Sequence, residues 1–413
     1  MAVWAFNKGE WTEAYVFIRL LGDGRIYGAT RDFERDEQTY IDIINIIRDE
    51  PNLYLKFERF VENEMAKVRA VNKDNVIFKI ITAPELTERA TYLYKMIMAA
   101  PSGMRKISIP EMQDYLESLS FTTPKSKLSE GAKNKYGLKT DIIITSQNSL
   151  DNALSTEGFS IKSKMGSDPT LFNCSQTSGF VYEVIGCDVA GMHRLNELAS
   201  LKTIVKTAAD EYGLKYAGCR NDIFEQNIGI VDSRMDEILD YAVRIISGYY
   251  GGNCGVSVES VSRQLTELNP LKRRNPEEFY QAKLKDFLFA SFAGMTASRQ
   301  WDGRKRLTGG YIDVNQNGEM LYYRAMSDDI FSNYLFCNTK FDVPDRGVMK
   351  DIAFAKSEIY LNEHREMTDS EISAILYVNG ISGSKRKKKG DFGYIYQEAD
   401  KFYIALNFQI RFK

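Results

Sequence analysis

The sequence has little histidine, no regular cysteine spacing and no long apolar run, and each lack excludes a class of protein. Only two of its 413 residues are histidine, so a Ser-His-Asp triad or a Cys/His zinc finger lacks the residues it needs. The five cysteines are odd in number and scattered, which is typical of reduced thiols in the cytoplasm. No apolar run approaches the ~20 residues that cross a bilayer, and the first residues lack the basic-then-apolar pattern of a secretory signal. We expect a cytoplasmic protein without a membrane segment.

The charge balance excludes a protein that coats nucleic acid by bulk electrostatics, because the net charge is only -2. A small-molecule α/β enzyme has no support either, since neither a phosphate-binding glycine loop nor a nucleophile elbow is present. With histidine nearly absent, any hydrolysis must depend on carboxylates, lysines and a hard metal ion bound through oxygen. The length indicates two or three domains.

Hydrophobic periodicity predicts a mixture of helices and strands. The first helix, Lys8 to Leu21, has Asn7 as its expected cap. Residues 40–48 fit either a strand or a helix, and residues 122–139 read as a linker. The other predicted helices are 84–100, 109–119, 192–213, 232–248, 276–292, 327–335 and 371–378, and the other strands are 25–29, 179–186, 393–396, 402–412 and a hairpin over 309–323.

The segment from Lys139 to Lys164 is the most informative in the chain. It reads as two short strands joined by a polar loop, with Asp141 at the start of the first strand. Side chains alternate along a strand, so Ser160, Lys162 and Lys164 share one face of the second strand. One acid and two lysines that meet across a hairpin suit a metal-assisted attack on phosphate. The alternative is a solvated strand face, on which lysines and a surface acid are common.

This arrangement resembles the core of PD-(D/E)xK nucleases, in which an acid at one strand start is followed by acid-x-Lys on the next strand. Two positions depart from that pattern. Thr140 occupies the position of the proline, and Ser160 occupies that of the second acid. Ser160 can hydrogen-bond a metal-bound water, but it carries no charge. The missing negative charge must therefore come from another part of the chain.

Several further segments resemble HpaII-type restriction endonucleases. The N-terminal motif is Asn7 to Glu13, the central one is Gly158 to Asn173, and the closing strand is Leu406 to Phe412. Between them, Gly309 to Ile312 and Asn338 to Asp342 are similar to the C-terminal half of that family. The resemblance touches both ends and the centre of the chain. The chain departs from the family pattern near residues 346–381, which look like an insertion.

The resemblance implies a type II restriction endonuclease that hydrolyses both strands of duplex DNA with Mg²⁺. It also implies a homodimer or transient dimer, and a cognate DNA methyltransferase as genetic partner. The expected fold is mixed α/β, with a PD-(D/E)xK-like core whose mixed sheet is flanked by helices. We expect four regions: 1–121 contributes to the core, 122–190 carries the catalytic hairpin, 191–300 is mainly helical, and 301–413 is a β-rich region that recognises DNA.

With this family in view, Asp141 is expected to bind the metal and Lys162 to be the catalytic lysine, with Lys164 as its competitor. Glu13 lies at the edge of the buried face of the first helix, and we expect it to replace the missing acid. The alternative for Glu13 is an ordinary helix-surface acid. Glu157 is a weaker substitute, because it is out of phase with Lys162, and Glu183 on the following strand is another.

Candidate DNA-binding residues follow the catalytic strand and recur in the C-terminal third. Polar side chains there can hydrogen-bond phosphates or base edges, and a lysine run can follow the phosphate backbone. In each case the alternative is a solvated loop. The candidates are Thr170, Asn173, Ser175, Gln176, Asn338, Lys340, Lys385, Arg386, Lys387, Lys388 and Lys389.

Because the second acid is missing, a second hypothesis stays open at this point. The chain can be a non-catalytic DNA-binding protein on a decayed nuclease fold. Cleavage of mixed-sequence plasmid DNA with and without Mg²⁺, paired with a DNA-binding assay, separates the two hypotheses.

Overall fold

The computed structural model describes most of the chain. The described ranges are 3–30, 34–101, 104–149, 152–166, 168–173, 178–198, 200–251, 255–305, 309–324, 328–343 and 392–413, with the single residue 368. Contacts divide the chain into two compact units. Among the described residues, the first unit contains 3–169 and 309–324, and the second contains 170–305, 328–343 and 392–413. The four regions that the sequence predicts were defined by function, and these contacts do not test them.

Helices lie in both units. In chain order they are α1 (Lys8–Asp23), α2 (Ala83–Ala99), α3 (Pro110–Ser118), α4 (Glu130–Tyr136), α5 (Val189–Asn196), α6 (Leu201–Glu211), α7 (Asp222–Val231), α8 (Met235–Ser247), α9 (Val258–Leu268), α10 (Pro276–Phe292) and α11 (Asp328–Asn338). In the part of the chain that the structure describes, none of them is long and apolar enough to cross a membrane.

Strands form three sheets. They are β1 (Arg25–Ala29), β2 (Arg35–Glu50), β3 (Leu53–Glu62), β4 (Met65–Asn72), β5 (Ile77–Thr82), β6 (Ile142–Asn148), β7 (Leu154–Ser163), β8 (Thr170–Phe172), β9 (Phe180–Val184), β10 (Leu214–Cys219), β11 (Gly310–Val314), β12 (Met320–Arg324), β13 (Thr339–Asp342), β14 (Ile395–Glu398), β15 (Lys401–Leu406) and β16 (Gln409–Phe412). The mixed α and β composition that the sequence predicts is confirmed.

The first unit is built on a nine-stranded sheet that closes on itself. Its strand order is β1-β12-β11-β7-β6-β2-β3-β4-β5, and β1 also pairs with β2. Six strands therefore form a closed ring, from which β3, β4 and β5 extend. The pairs β1–β12 and β11–β7 are parallel, so the sheet is mixed as expected. The closure of the ring was not predicted, because it depends on pairing between residues 25–29 and 320–324.

Helix α1 is the centre of the first core. A capping box fixes its start, because the Asn7 side chain accepts from the Glu10 N–H while the Glu10 side chain accepts from the Asn7 N–H. Gly24 ends it in the left-handed conformation, at φ 74°. Trp11, Ile18 and their neighbours on the inner face are fully buried in one apolar cluster with the strands. The helix that the sequence predicts here is confirmed.

The second unit contains two smaller sheets and most of the remaining helices. Their strand orders are β10-β9-β15-β14 and β13-β16-β8. Phe172, Phe287 and Phe408 pack together, with ring centroids 5.4 to 6.0 Å apart. These buried aromatic side chains form the centre of the unit, as expected for large rings with few polar atoms.

Several predicted boundaries are wrong, each for a local or tertiary reason. Residues 122–139 are not only a linker, since α4 forms there with Ser129 as its cap. The predicted helix 192–213 is two helices, because Ser200 caps a new one. The predicted strand 402–412 is also two, since β15 pairs with β9 while β16 pairs with β8 and β13. Helices α7 and α9 and strands β3 to β5, β8, β10 and β13 were missed. The predicted helix 371–378 and the insertion lie outside the described residues.

Candidate active site

The β6–β7 hairpin holds Asp141 against the second strand. The strands are antiparallel with Ile142 opposite Phe159, which places Asp141 beside Ser160. One carboxylate oxygen, Oδ2, accepts from Ser160 Oγ at 3.1 Å and from the Ile161 N–H at 2.7 Å. The structure thus brings Asp141 and Ser160 into direct contact. Two donors to one oxygen fix the orientation of the carboxylate.

Lys162 lies in the field of the same carboxylate. Burial lowers the pKa of this half-buried lysine, while Asp141 and Glu13 raise it. Lys139, two residues before Asp141, is a second amine in the cluster that the sequence reasoning missed. Burial and then the like charge of Lys162 lower the pKa of Lys139 to about 7. Its position at the start of the informative segment was the available signal.

Glu13 reaches the cluster from helix α1. Its Oε2 accepts from the Ser126 N–H at 3.0 Å. Burial raises the pKa of Glu13 well above its ordinary value, and the nearby charge of Asp141 raises it further. Glu13 and Asp141 both line one small cavity, together with Arg48 and Ser126. The structure thus places Glu13 beside Asp141 and not on an open surface.

A buried ion pair holds the segment that faces Glu13. Arg48 and Glu50 have side chains only 3% and 6% exposed, and Arg48 Nε donates to Glu50 Oε1 at 2.6 Å. The same guanidinium donates to the carbonyl oxygens of Thr123 and Lys125, at 2.8 and 2.7 Å. Lys125 immediately precedes Ser126, so Arg48 positions the N–H that binds Glu13.

Lys164 is engaged with a different acid. Its Nζ lies 3.3 Å from Asp313 Oδ2. Asp313 is on β11, which runs parallel to β7, and its side chain is only 5% exposed. Burial raises the pKa of Asp313 and Lys164 lowers it. Sequence reasoning missed Asp313, because its partner is about 150 residues away along the chain.

The other two acids considered as substitutes have ion-pair partners of their own. Glu157 Oε2 lies 2.8 Å from Arg324 Nη2. Glu183 belongs to the second unit, where its Oε1 lies 3.0 Å from Lys401 Nζ. Glu13 is the acid that does share a cavity with Asp141.

The donor set fits a hard divalent cation. Within the described ranges, no group of three or more His, Cys, Asp or Glu side chains is gathered closely enough to enclose a metal. The site instead offers two carboxylates, Glu13 and Asp141, on one cavity. Mg²⁺ prefers oxygen, keeps several waters and is often held by one or two carboxylates plus substrate phosphate. A pair of carboxylates that leaves other coordination positions for water and phosphate therefore suits Mg²⁺ better than zinc.

Some of the predicted DNA-binding residues share one sheet in the second unit. Thr170 and Lys340 are both in register with Arg411 of β16, one from each side. Arg411 Nε lies 2.7 Å from Asp342 Oδ2, and sequence reasoning missed both of these residues. Asn173 is exposed just after β8.

The remaining DNA-binding candidates are either engaged in the fold or not described. The Asn338 amide donates to the Tyr334 carbonyl at 3.1 Å, which gives this side chain a structural bond at the end of α11. The predicted residues Ser175, Gln176, Lys385, Arg386, Lys387, Lys388 and Lys389 lie outside the described residues.

Comparison with known proteins gives a consistent result. The HpaII restriction endonuclease family profile matches residues 7–350. The type II restriction enzyme HpaII of Haemophilus parainfluenzae is 29% identical over 409 residues, which covers 98% of each chain. No solved structure gives a significant match.

Proposed function

This chain belongs to the HpaII restriction endonuclease family and is a type II site-specific deoxyribonuclease; on that premise we propose that it hydrolyses duplex DNA with Mg²⁺ at Asp141, Glu13 and Lys162. One observation carries the proposal. Two carboxylates from different elements share a cavity, and a half-buried lysine lies in the field of both. This is the composition of a PD-(D/E)xK-like site, with the second acid supplied by a helix in place of the strand.

Each residue of the cluster has a distinct task in this proposal. Glu13 and Asp141 would hold the cation, which would supply polarisation of the scissile phosphate and a lowered pKa of a nearby water. Ser160 and the Ile161 N–H keep the Asp141 carboxylate oriented. Lys162 stabilises the negative charge that develops on the phosphate. Its lowered pKa also suits an amine that exchanges a proton with the attacking water.

The same proposal extends to the partners. Among the described residues one such cluster is present per chain, while a duplex has two strands to cut. We therefore propose a homodimer or transient dimer on DNA, which acts in the cytoplasm. A site-specific nuclease also endangers the DNA of its own cell, so a cognate DNA methyltransferase is the expected genetic partner. Light scattering of the protein with and without DNA tests the dimer.

Cleavage of mixed-sequence plasmid DNA over a range of Mg²⁺ concentrations tests the site. Asp141→Ala and Lys162→Ala should abolish cleavage while DNA binding and thermal stability persist. Glu13→Gln should raise the Mg²⁺ concentration needed for half-maximal cleavage. Glu130→Ala removes an exposed acid of the same unit and serves as the control. Wild-type turnover by Asp141→Ala or Lys162→Ala at saturating Mg²⁺ would exclude these roles.

A further inference from the structure

A second cavity lies in the first unit, away from the carboxylate cluster. Its volume is about 880 Å³, within the range of pockets that bind small molecules. Helix α1 contributes to both places. Arg19 lines the cavity six residues after Glu13, which corresponds to about 9 Å of helix rise and about 120° around the axis. The two sites are therefore distinct, although one helix connects them.

The lining of this cavity is rich in guanidinium groups. Four arginines face three acids there: Arg19, Arg25, Arg35 and Arg59, with Asp23, Asp42 and Glu319. Two of the pairs are close: Arg19 Nε lies 2.6 Å from Asp23 Oδ2, and Arg25 Nε lies 2.7 Å from Asp42 Oδ1. Arg35 also has a partner, Glu37, at 2.9 Å, although Glu37 does not line the cavity. The charges of the cluster therefore balance, and the lining offers both hydrogen-bond donors and acceptors.

Arg59 is the cation with the least compensation. It is half-buried, and burial lowers its pKa, while the charges of Asp23 and Asp42 raise it in part. Its Nη1 donates to the carbonyl oxygens of Leu21 and Gly22 at the end of α1. In the part of the chain with described coordinates, no carboxylate lies within ion-pair distance of Arg59. Asp23 and Asp42 act on Arg59 only from beyond ion-pair distance. A bound anion would therefore supply the direct charged partner that Arg59 does not have among these residues.

Aromatic side chains complete the lining. The Arg35 guanidinium lies 3.7 Å from the centre of the Tyr27 ring. The Tyr15 and Tyr94 rings are 6.1 Å apart, and their hydroxyls donate to the carbonyls of Gly318 and Gln316 at 2.6 and 2.9 Å. These hydroxyl bonds anchor the rings to the β11–β12 turn. Fixed aromatic rings beside arginines are suited to a planar, charged ligand.

We propose that this cavity binds one nucleotide, with its phosphate on the arginines and its base against Tyr27 or Tyr94, the partly exposed rings; Tyr15, only 3% exposed, supports Tyr94. Aromatic rings, guanidinium donors and carboxylate acceptors together match a base and a phosphate better than they match a simple anion or an apolar molecule. Two sources have this chemistry: a free nucleotide, and a nucleotide turned out of the bound duplex. An extruded base requires such a pocket outside the helix.

Two variants and one control test the site. Arg35→Met removes a guanidinium whose carboxylate partner, Glu37, is itself 68% exposed, so the fold should persist. Tyr27→Leu removes the ring below it and is the second variant in case Arg35→Met fails to fold. Lys95→Met removes an exposed cation next to Tyr94 that does not line the cavity, and it is the control.

The first arm uses free ligands. Calorimetric titration of the DNA-free protein with dAMP, dCMP, dGMP, dTMP and inorganic phosphate should show nucleotide binding if the source is free. Arg35→Met should weaken it about tenfold, as expected for one charge-assisted hydrogen bond, and Lys95→Met should not. Phosphate that binds as tightly as every nucleotide identifies a simple anion site and overturns the proposal.

The second arm uses mixed-sequence plasmid in the Lys162→Ala background, which should keep the DNA intact. Permanganate, chloroacetaldehyde and kethoxal report unpaired bases, including the partner that an extruded base leaves behind. Reactivity that appears on binding and disappears with Arg35→Met, while binding persists, supports extrusion. If neither arm gives a signal, Arg59 is only a cation at a helix end and the proposal fails. This experiment rests on the proposed function. If Lys162→Ala still cuts the plasmid, the proposed role of Lys162 is wrong, but the free-ligand titration still tests the cavity.

Discussion

Replacing Arg48 by methionine should destabilise the first unit by about 3–5 kcal/mol. The change leaves the Glu50 carboxylate, 6% exposed, without its cation, and breaking a buried ion pair from one side has about this cost. The Lys127 N–H remains as a donor to Glu50, but at 3.4 Å. The Thr123 carbonyl also loses its donor, which adds to the loss.

The double variant Arg48→Met/Glu50→Met separates charge from packing. It removes both charges, so most of the charge penalty should return and the remaining loss should be about 1–2 kcal/mol, from the carbonyls that Arg48 bound. Urea unfolding by tryptophan fluorescence measures both variants. Trp4 and Trp11 are buried in the first unit, so a Trp301→Phe background isolates its signal.

The double variant also tests whether Arg48 positions the proposed metal site of Glu13 and Asp141. Without Arg48, the segment that ends at Ser126 loses its anchor, and Glu13 loses a fixed donor. Outer partners of metal ligands are typically worth 10- to 100-fold in metal affinity. The Mg²⁺ concentration for half-maximal cleavage should therefore rise about tenfold or more, even though stability is largely restored. A loss below about 1 kcal/mol for Arg48→Met, or no recovery in the double variant, would refute this reasoning.

Four further predictions follow from other contacts. In metal-free protein the pKa of Glu13 is raised, so the folded state holds a proton that the unfolded state releases. The free energy of unfolding should therefore fall as pH rises from the ordinary glutamate range. Urea unfolding in EDTA should show this slope, and Glu13→Gln should reduce it. Gly158→Ala should cost about 1–3 kcal/mol, since its Cβ would lie 2.5 Å from Thr140 Oγ1, whereas Gly131→Ala has only Ser129 Oγ at 3.8 Å; thermal melts that treat both alike would contradict the hairpin packing. Lys164→Met should destabilise the protein, because it leaves buried Asp313 without its cation. Cleavage per folded molecule should be retained. Loss of turnover by a fully folded variant would assign the catalytic role to Lys164. If the Thr170–Arg411–Lys340 face contacts phosphates, Lys340→Met should reduce the slope of log affinity against log salt by about one, and an unchanged slope would exclude that face.

Local chemistry made part of this fold predictable from the sequence. The Asn7 and Glu10 capping box marks α1, and the alternation of Phe159 to Lys162 marks β7. Both signals act within a few residues, so no tertiary information is needed. A hairpin joined by a polar loop predicted that Asp141 meets Lys162 across the two strands, although not that Ser160 bonds Asp141 directly. These were the parts of the candidate site that the sequence indicated directly.

Long-range pairing made the rest unpredictable. The ring closes where β1 meets β12, and Lys164 meets Asp313 because β7 and β11 are parallel. No pattern within either strand indicates the partner. The ambiguity of residues 40–48 was likewise resolved by neighbours, since β2 is held by β1, β3 and β6. Tertiary contact thus decided where local propensity was neutral.

The serine at position 160 has a consistent explanation in the charge of the cluster. Glu13 and Asp141 contribute two carboxyl groups, while Lys162 and Lys139 contribute two amines. An acid at position 160 would lie directly beside Asp141 and repel it, whereas Ser160 donates a hydrogen bond to it. If Glu13 holds the metal as proposed, the second acid comes from α1, and its position depends on the packing of a helix against the sheet. The segment held by Arg48 then positions the metal site, because its Ser126 N–H binds Glu13.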